Sequence, residues 1–322
     1  AGSMEQLIAW RAVQGAALGA AVMCARAIVR DLYAPAEGAR FMSRGLTGLG
    51  VIACCSAPLG GLSSDLLGWR AALLLIGLFG AATLVVVALR FRETVRQPNP
   101  HALQPRVLIT NWVRIARHPT FRAYALLATA SYGGLFTYLA ASSFVFIQVL
   151  GLSKTQYGLV MFTMSLSYIG GTVLCRRLLA RLGVRRTVAV AGALSLAGGS
   201  AMGLLALAGV QSVWAVVLPF YLFMVAHGIH QPCGQSGAVA PFPQSAGAAS
   251  ALAGLIMMVT AFAMGSWLGH SMAAFGPGQG SVLPLTNGIW FWGVLCALCA
   301  WTLVRRHGEA PAAPLPTAPT AP

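Results

Sequence analysis

Nine long apolar stretches constrain this chain of 322 residues more than any other feature of its sequence. A helix needs roughly 20 mostly apolar residues to cross a bilayer, and each stretch has about that length. They lie at approximately 6–29, 42–63, 70–90, 123–145, 156–175, 187–208, 212–233, 247–270 and 286–304. The pattern predicts an all-α membrane protein with nine transmembrane helices.

The composition agrees with a chain that lies in lipid. Charged residues make up only 8% of it, whereas about a quarter is usual in a soluble domain. The net charge of +15 does not indicate a nucleic-acid partner, because the arginines form short clusters between apolar stretches and build no hydrophilic basic face. All seven cysteines lie inside or at the edge of apolar stretches, so they are expected to be buried thiols and not a disulfide framework.

The basic residues between the apolar stretches predict the orientation. On one side, 17 arginines lie within 30–44, 90–122, 176–186 and 305–306. The other side holds only Arg70 and Lys154. Cytoplasmic loops are enriched in Lys and Arg, so the C-terminus is expected in the cytoplasm and residue 1 outside. Since no basic segment or cleavable signal precedes the first stretch, we expect the chain to be an incomplete form of a longer transporter.

Two motifs occur in the first part of the chain. The first stretch carries Arg11, Gln14, Gly15 and Gly19 at spacings that place them along one helix. The second ends on Pro58, Gly60 and Gly61, which remove a backbone donor and two side chains. The first set is typical of a polar cavity wall. The second permits either a hinge or close packing without a hinge.

The later stretches carry three further motifs. Residues 132–147 include Tyr132, Phe136 and Tyr138. A loop after the fifth stretch contains Arg181, Gly183, Arg185 and Arg186, and residues 228–232 read Gly-Ile-His-Gln-Pro.

The order and spacing of these motifs over about residues 5–305 resemble the major facilitator superfamily, and within it the bicyclomycin/chloramphenicol resistance family of drug exporters. The resemblance implies that the nine spans are equivalent to helices 4–12 of twelve. Residues 1–90 would be the second half of the first bundle, 91–122 a cytoplasmic linker and 123–304 a six-helix bundle. Residues 305–322, rich in Pro and Ala, are expected to be a disordered tail. The family is found in bacterial inner membranes.

The resemblance assigns transport roles to polar residues within the spans. We expect Arg11, Gln14 and Gly15 to line the cavity, since a charge at membrane depth needs a polar partner; snorkelling of Arg11 to the interface is the alternative. His227, His230 and Gln231 are predicted to line the cavity or relay protons, and packing is the alternative. His227, His230 and Cys233 recur every three residues, but this is not a recognised zinc spacing, and no metal is expected.

The remaining predicted residues act in helix packing, in substrate contact and in a gate. We expect Gly19, Pro58, Gly60 and Gly61 to act in helix packing or a hinge. Flat lipophilic substrates are expected to contact Tyr132, Phe136, Tyr138 and Trp267, although lipid-facing or packing roles are the commoner use of such residues. A cytoplasmic gate loop is predicted at Arg181, Gly183, Arg185 and Arg186.

The expected function is proton-coupled export of drugs or other small lipophilic molecules by alternating access. Its partners are the bilayer, a small-molecule substrate and protons. The proton gradient supplies the energy, and no cofactor is expected. There is no nucleotide-binding loop or nucleophile–base pair, so the chain is not expected to be an enzyme. The alternatives are a transporter of the same fold for a metabolite or sugar derivative, and a non-transporting membrane scaffold or decayed gene fragment.

Overall fold

Every regular element among the described residues is helical. The computed structural model describes residues 2–32, 48, 52, 54–56, 58–94, 105–242, 245–273 and 281–308. The helices are α1 (Met4–Leu32), α2 (Trp69–Arg90), α3 (Pro105–Arg117), α4 (Pro119–Ser143), α5 (Lys154–Leu207), α6 (Val213–Val239), α7 (Ala246–Ala273) and α8 (Leu283–Leu298). Residues 58–67, before α2, are also helical. Wider π-helical turns, Phe144–Val149 and Cys299–Val304, extend α4 and α8.

Six helices in the described part of the chain are long and apolar enough to cross a membrane. They are α2, α4 with its π-helical end, α5, α6, α7, and α8 with the turns that follow it. These six contain seven of the nine predicted spans, because α5 contains two. The span predicted at 6–29 lies within α1, and the span at 42–63 lies partly outside the described residues. The predicted all-α membrane fold is confirmed.

The two spans within α5 meet at a single glycine and not in a loop. Gly183 has φ 70° and ψ 175°, a backbone conformation that residues other than glycine rarely adopt. The Thr187 hydroxyl donates to the Gly183 carbonyl at 2.7 Å and holds the start of the second segment. A straight helix of 54 residues would be roughly 80 Å long, far more than a bilayer, so the break is required. The spans predicted at 156–175 and 187–208 lie on the two sides of Gly183, and helix continues beyond both of them toward this glycine.

The second half, α4 to α8, contains most of the core. Its helices approach closely where glycines face a neighbouring backbone. A Cβ added to Gly228 would lie 2.6 Å from the carbonyl oxygen of Tyr168, and one added to Gly171 would overlap that of Val225. Because only glycine fits there, α5 and α6 pack almost backbone to backbone, which is a common way to join helices in lipid.

The first half presents a different surface. No described side chain of α2 is buried, and large apolar side chains such as Leu74 and Phe79 are exposed. In α1 the described side chains are exposed or half-buried. These surfaces suit contact with lipid or with other membrane helices.

The linker region contains the amphipathic helix α3. Ile115 is buried on one side of it, whereas Arg114 and Arg117 are exposed on the other. Arg114 donates to Asn111 at 2.8 Å and reaches Ser245 of the second half at 3.5 Å. At the far end of the chain, helix continues to His307, into the range predicted as a disordered tail. Residues 309–322 lie outside the described part.

Candidate functional site

A line of polar side chains runs along α4, α5 and α6 inside the second half. We call it the polar track. Hydrogen bonds or ring contacts connect its members in three groups. From the Val239 end of α6, these are Gln235 with Gln231, then His227 with Ser131 and Tyr168, and then Tyr221 with Thr163.

His227 is the titratable residue at the centre of the track. It is buried, and its Nδ1 atom lies 2.8 Å from the Ser131 hydroxyl and 3.2 Å from the Ser131 carbonyl oxygen. The ring of Tyr168 lies 5.6 Å away, between centroids. The imidazole is therefore held by polar partners on α4 and faces an aromatic ring on α5.

Gln231 and Gln235 continue the track toward the Val239 end of α6. The Gln231 amide donates to the Ala128 carbonyl at 2.9 Å, and its own oxygen accepts from the Gln235 amide at 2.9 Å. Gln231 is buried, whereas Gln235 is exposed. The two glutamines thus lead from the helical turn that follows His227 to the surface.

His230 does not join this track. Its ring is fully enclosed, and neither nitrogen makes a hydrogen bond of normal geometry with a described residue, although the backbone of Val188 is close. His227, His230 and Cys233 do not converge, because positions six residues apart on a helix differ by roughly 120° in direction. Cys233 instead faces Cys175 of α5. No group of three or more potential metal ligands occurs among the described residues.

The predicted substrate aromatics fall into three environments. Tyr138 is buried and stacks on Phe220 with ring centroids 3.9 Å apart, so it is a core residue in this conformation. Tyr132 and Phe136 are half-buried, with centroids 6.5 Å apart. Trp267 is 45% exposed. The four aromatic residues therefore do not share one environment.

Arg11 lies on an exposed face of α1. Its guanidinium donates to the side-chain oxygen of Gln14 at 2.9 Å, so the two polar residues of the first motif are paired. A Cβ at Gly15 or Gly19 would meet nothing within 4 Å. In this part of the chain the motif presents a polar, unobstructed strip of helix.

A contact at the N-terminal end of α5, on the side that the basic residues predict to be outside, joins the two halves. Asp65 accepts hydrogen bonds from the Thr155 backbone, at 2.8 Å, and from the Thr155 hydroxyl. Lys154 lies 3.9 Å from the same carboxylate and donates to the Ser64 carbonyl at 3.4 Å. We call this set of interactions the outer contact. The sequence predicts Lys154 on the outer side, but no sequence signal paired it with Asp65.

The Pro58 motif lies next to the outer contact. A Cβ at Gly61 would lie 2.7 Å from the Lys154 carbonyl oxygen, so this glycine allows the two halves to touch. Gly60 has no such neighbour within 4 Å, and Pro58 is half-buried. Packing between the halves is thus a role that the structure gives to Gly61 specifically.

The predicted gate loop surrounds the break in α5. Gly183 forms the break, Arg181 and Arg186 are exposed, and Arg185 is half-buried. This places a cluster of guanidinium groups at one end of the second half.

Comparison with known families identifies the class of protein that these helices form. The family model of the Major Facilitator Superfamily matches residues 1–266, and the chain belongs to this superfamily. It is a multi-pass protein of the bacterial inner membrane, as its bacterial relatives and its long apolar helices indicate. The superfamily predicted from the motifs is confirmed.

Particular relatives carry drug-resistance names. The bicyclomycin resistance protein homolog of Haemophilus influenzae is 26% identical over 265 residues, which cover 82% of this chain and 66% of that protein. Multidrug resistance protein D of Escherichia coli is 28% identical over 309 residues, which cover 95% of this chain and 76% of that protein. The chain thus spans about two thirds of the length of the Haemophilus relative.

A solved structure has a similar fold. It is a bacterial homologue of the human lysosomal transporter Spinster in an inward-facing and occupied conformation. The TM-score is 0.51 at 16% identity, and the match covers 88% of this chain and 71% of the other.

Proposed function

We propose that this chain acts in proton-coupled export of drugs or other small lipophilic molecules by alternating access, and not as an enzyme. Support for the substrate class comes from the relatives, which are named for resistance to bicyclomycin and to multiple drugs. A proton gradient would supply the energy without any cofactor.

The observation that carries the coupling proposal is the setting of His227. Proton antiport needs a group at membrane depth whose charge changes during the cycle. His227 is buried in the second half and hydrogen-bonded to Ser131, and the chain of Gln231 and Gln235 leads from its neighbourhood to the surface. None of the six acidic residues lies inside the spans predicted within 123–304. His227 is therefore the proton carrier that we propose for the second half.

The outer contact supports the alternating-access part of the proposal. Hydrogen bonds from Thr155 to Asp65 hold the two halves together at their outer ends. Release of a substrate to the outside requires these ends to separate. The contact would therefore form when the cavity faces the cytoplasm and break when it faces outward.

The proposal is tested in a bacterium deleted for its own drug exporters, with the protein expressed from its native gene. We expect increased resistance to bicyclomycin or chloramphenicol, and drug accumulation that rises when a protonophore collapses the gradient. Unchanged resistance to every drug of a broad panel would overturn the drug-export proposal. Movement of a metabolite or sugar derivative in the same cells would then favour the first alternative, and no movement of any solute would favour the scaffold.

A further inference from the structure

A pair of thiols lies beside a cavity at the cytoplasmic end of the second half. The sulfur atoms of Cys175 on α5 and Cys233 on α6 are 3.8 Å apart, and both residues are buried and form no disulfide. The two cysteines are 58 positions apart in sequence, so only the packing of α5 against α6 brings them together.

The cavity gives one of these thiols a route to small molecules. It has a volume of about 460 Å³, within the usual range of roughly 300–1,000 Å³ for ligand pockets. Cys233 forms part of its wall, together with Tyr124, Leu179 and Val184. The wall is mostly apolar, and its side-chain polar groups are hydroxyls and the thiol. An apolar organic group of modest size fits such a space.

We propose that Cys175 and Cys233 form a dithiol site for trivalent organoarsenicals and that the organic group occupies this cavity. The ligand class follows from the number of donors. A structural zinc ion needs four ligands, and the described residues provide no group of three or more. An arsenic atom that already carries one carbon substituent needs only two sulfurs to complete three bonds.

The spacing of the sulfurs suits a single bridging atom. With bonds similar in length to a zinc–thiolate bond of about 2.3 Å, two sulfurs on one atom lie about 3.4–3.8 Å apart for bond angles from 95° to tetrahedral. The observed separation of 3.8 Å is at the upper end of that interval. Bridging therefore needs only small side-chain movements and no displacement of α5 or α6.

The reaction needs no oxidant or reductant. An arsine oxide R–As=O reacts with the two thiols to form two As–S bonds, and the two thiol hydrogens leave with the oxide oxygen as one water molecule. Arsenic remains trivalent throughout. The second As–S bond forms within the protein, so the dithiol should retain the arsenical roughly 100-fold longer than a single thiol would.

Phenylarsine oxide is the probe that tests the site. The five other cysteines, Cys24, Cys54, Cys55, Cys296 and Cys299, are replaced by alanine, and the purified protein is treated, washed and denatured with a maleimide present. We expect both remaining thiols to be protected, one arsenical to bind per chain, and 2,3-dimercaptopropanol to restore labelling. Cys175→Ala or Cys233→Ala in this background should shorten retention roughly 100-fold. Labelling of both thiols after treatment, or equal retention by a single thiol, would overturn the proposal.

Two further measurements cover a failure of the alanine background to fold and the route of the arsenical through the cavity. If the alanine background does not fold, the native chain and its Cys175→Ala and Cys233→Ala variants are treated instead, and protected cysteines are identified by peptide mass spectrometry. Access of the arsenical to the thiols through the cavity is tested with Ala240→Trp, which would place an indole in the cavity. Ala180→Trp, at an exposed position outside the cavity, is the control. Only Ala240→Trp should slow the binding of phenylarsine oxide to the two thiols, and equal binding rates in the two variants would contradict access through the cavity. Neither readout depends on transport, so failure here is distinguishable from failure of the proposed function.

Discussion

Replacing Asp65 by alanine should shift the conformational balance at the outer ends of the two halves. The substitution removes two hydrogen bonds from Thr155 and the ion pair with Lys154 at 3.9 Å. A hydrogen bond to a charged group contributes about 1.5–3 kcal/mol when enclosed. Because the Asp65 side chain is 29% exposed, we take about 1 kcal/mol for each bond, or about 2 kcal/mol in total.

A loss of about 2 kcal/mol lowers the ratio of closed to open outer ends by a factor of about 30. Asp65→Asn keeps an acceptor oxygen and loses only the charge, so its effect should be about threefold. Lys154→Met removes the ion pair, in which the lysine is half-exposed, and the long hydrogen bond to the Ser64 carbonyl, and should change the ratio by less than about fivefold.

The assay is a distance measurement between spin labels on the two halves. Cysteines at Leu67 and Leu159, both exposed, carry the labels in a background without the native cysteines. We expect Asp65→Ala to move most of the distance distribution to longer separations, with Asp65→Asn between it and the parent. An unchanged distribution in Asp65→Ala would refute the idea that the outer contact holds the halves together.

Three other predictions concern packing, coupling and topology. Gly228→Ala should lower the free energy of unfolding in detergent by about 1–3 kcal/mol, since its Cβ would overlap the α5 backbone. Gly254→Ala, where a Cβ meets nothing within 4 Å, should be neutral or stabilising. His227→Gln should retain drug binding and lose gradient-driven flux at least about 100-fold, because glutamine carries no proton. In intact cells, an impermeant thiol reagent should label a cysteine at Gln211 and spare one at Thr110.

Each of these predictions has a contradicting result. Equal unfolding free energies for the two glycine variants would remove the argument from close packing of α5 and α6. Normal proton-driven flux in His227→Gln would exclude the coupling role and direct attention to residues of the first half. Labelling at residue 110 without labelling at 211 would invert the topology.

The membrane helices were predictable because each depends only on a continuous run of apolar residues. Each span needs only enough apolar residues in a row, and neither packing nor register affects that requirement. The join within α5 was not predictable in the same way. The arginines near Gly183 indicated a loop, whereas the positive φ of that single residue is sufficient to separate two helical segments.

The candidate site was predictable only in part, because pairing between distant residues depends on the tertiary structure. The polar character of Gln231 and His227 could be recognised in an apolar stretch, and both belong to the polar track. Their partners, Ser131 and the Ala128 carbonyl, could not be recognised, because small or backbone groups leave no pattern in a sequence. The same is true of the outer contact, which joins Asp65 to Thr155 across 90 positions.

Proton exchange during drug movement tests the central proposal most directly. The purified protein, expressed from its native gene, is reconstituted in liposomes with an acidic lumen, and drug uptake is measured together with lumenal pH. We predict that drug accumulates while the lumen loses protons, and that both fluxes stop when an ionophore collapses the gradient. Drug accumulation that proceeds equally without a gradient and without proton release would contradict the account.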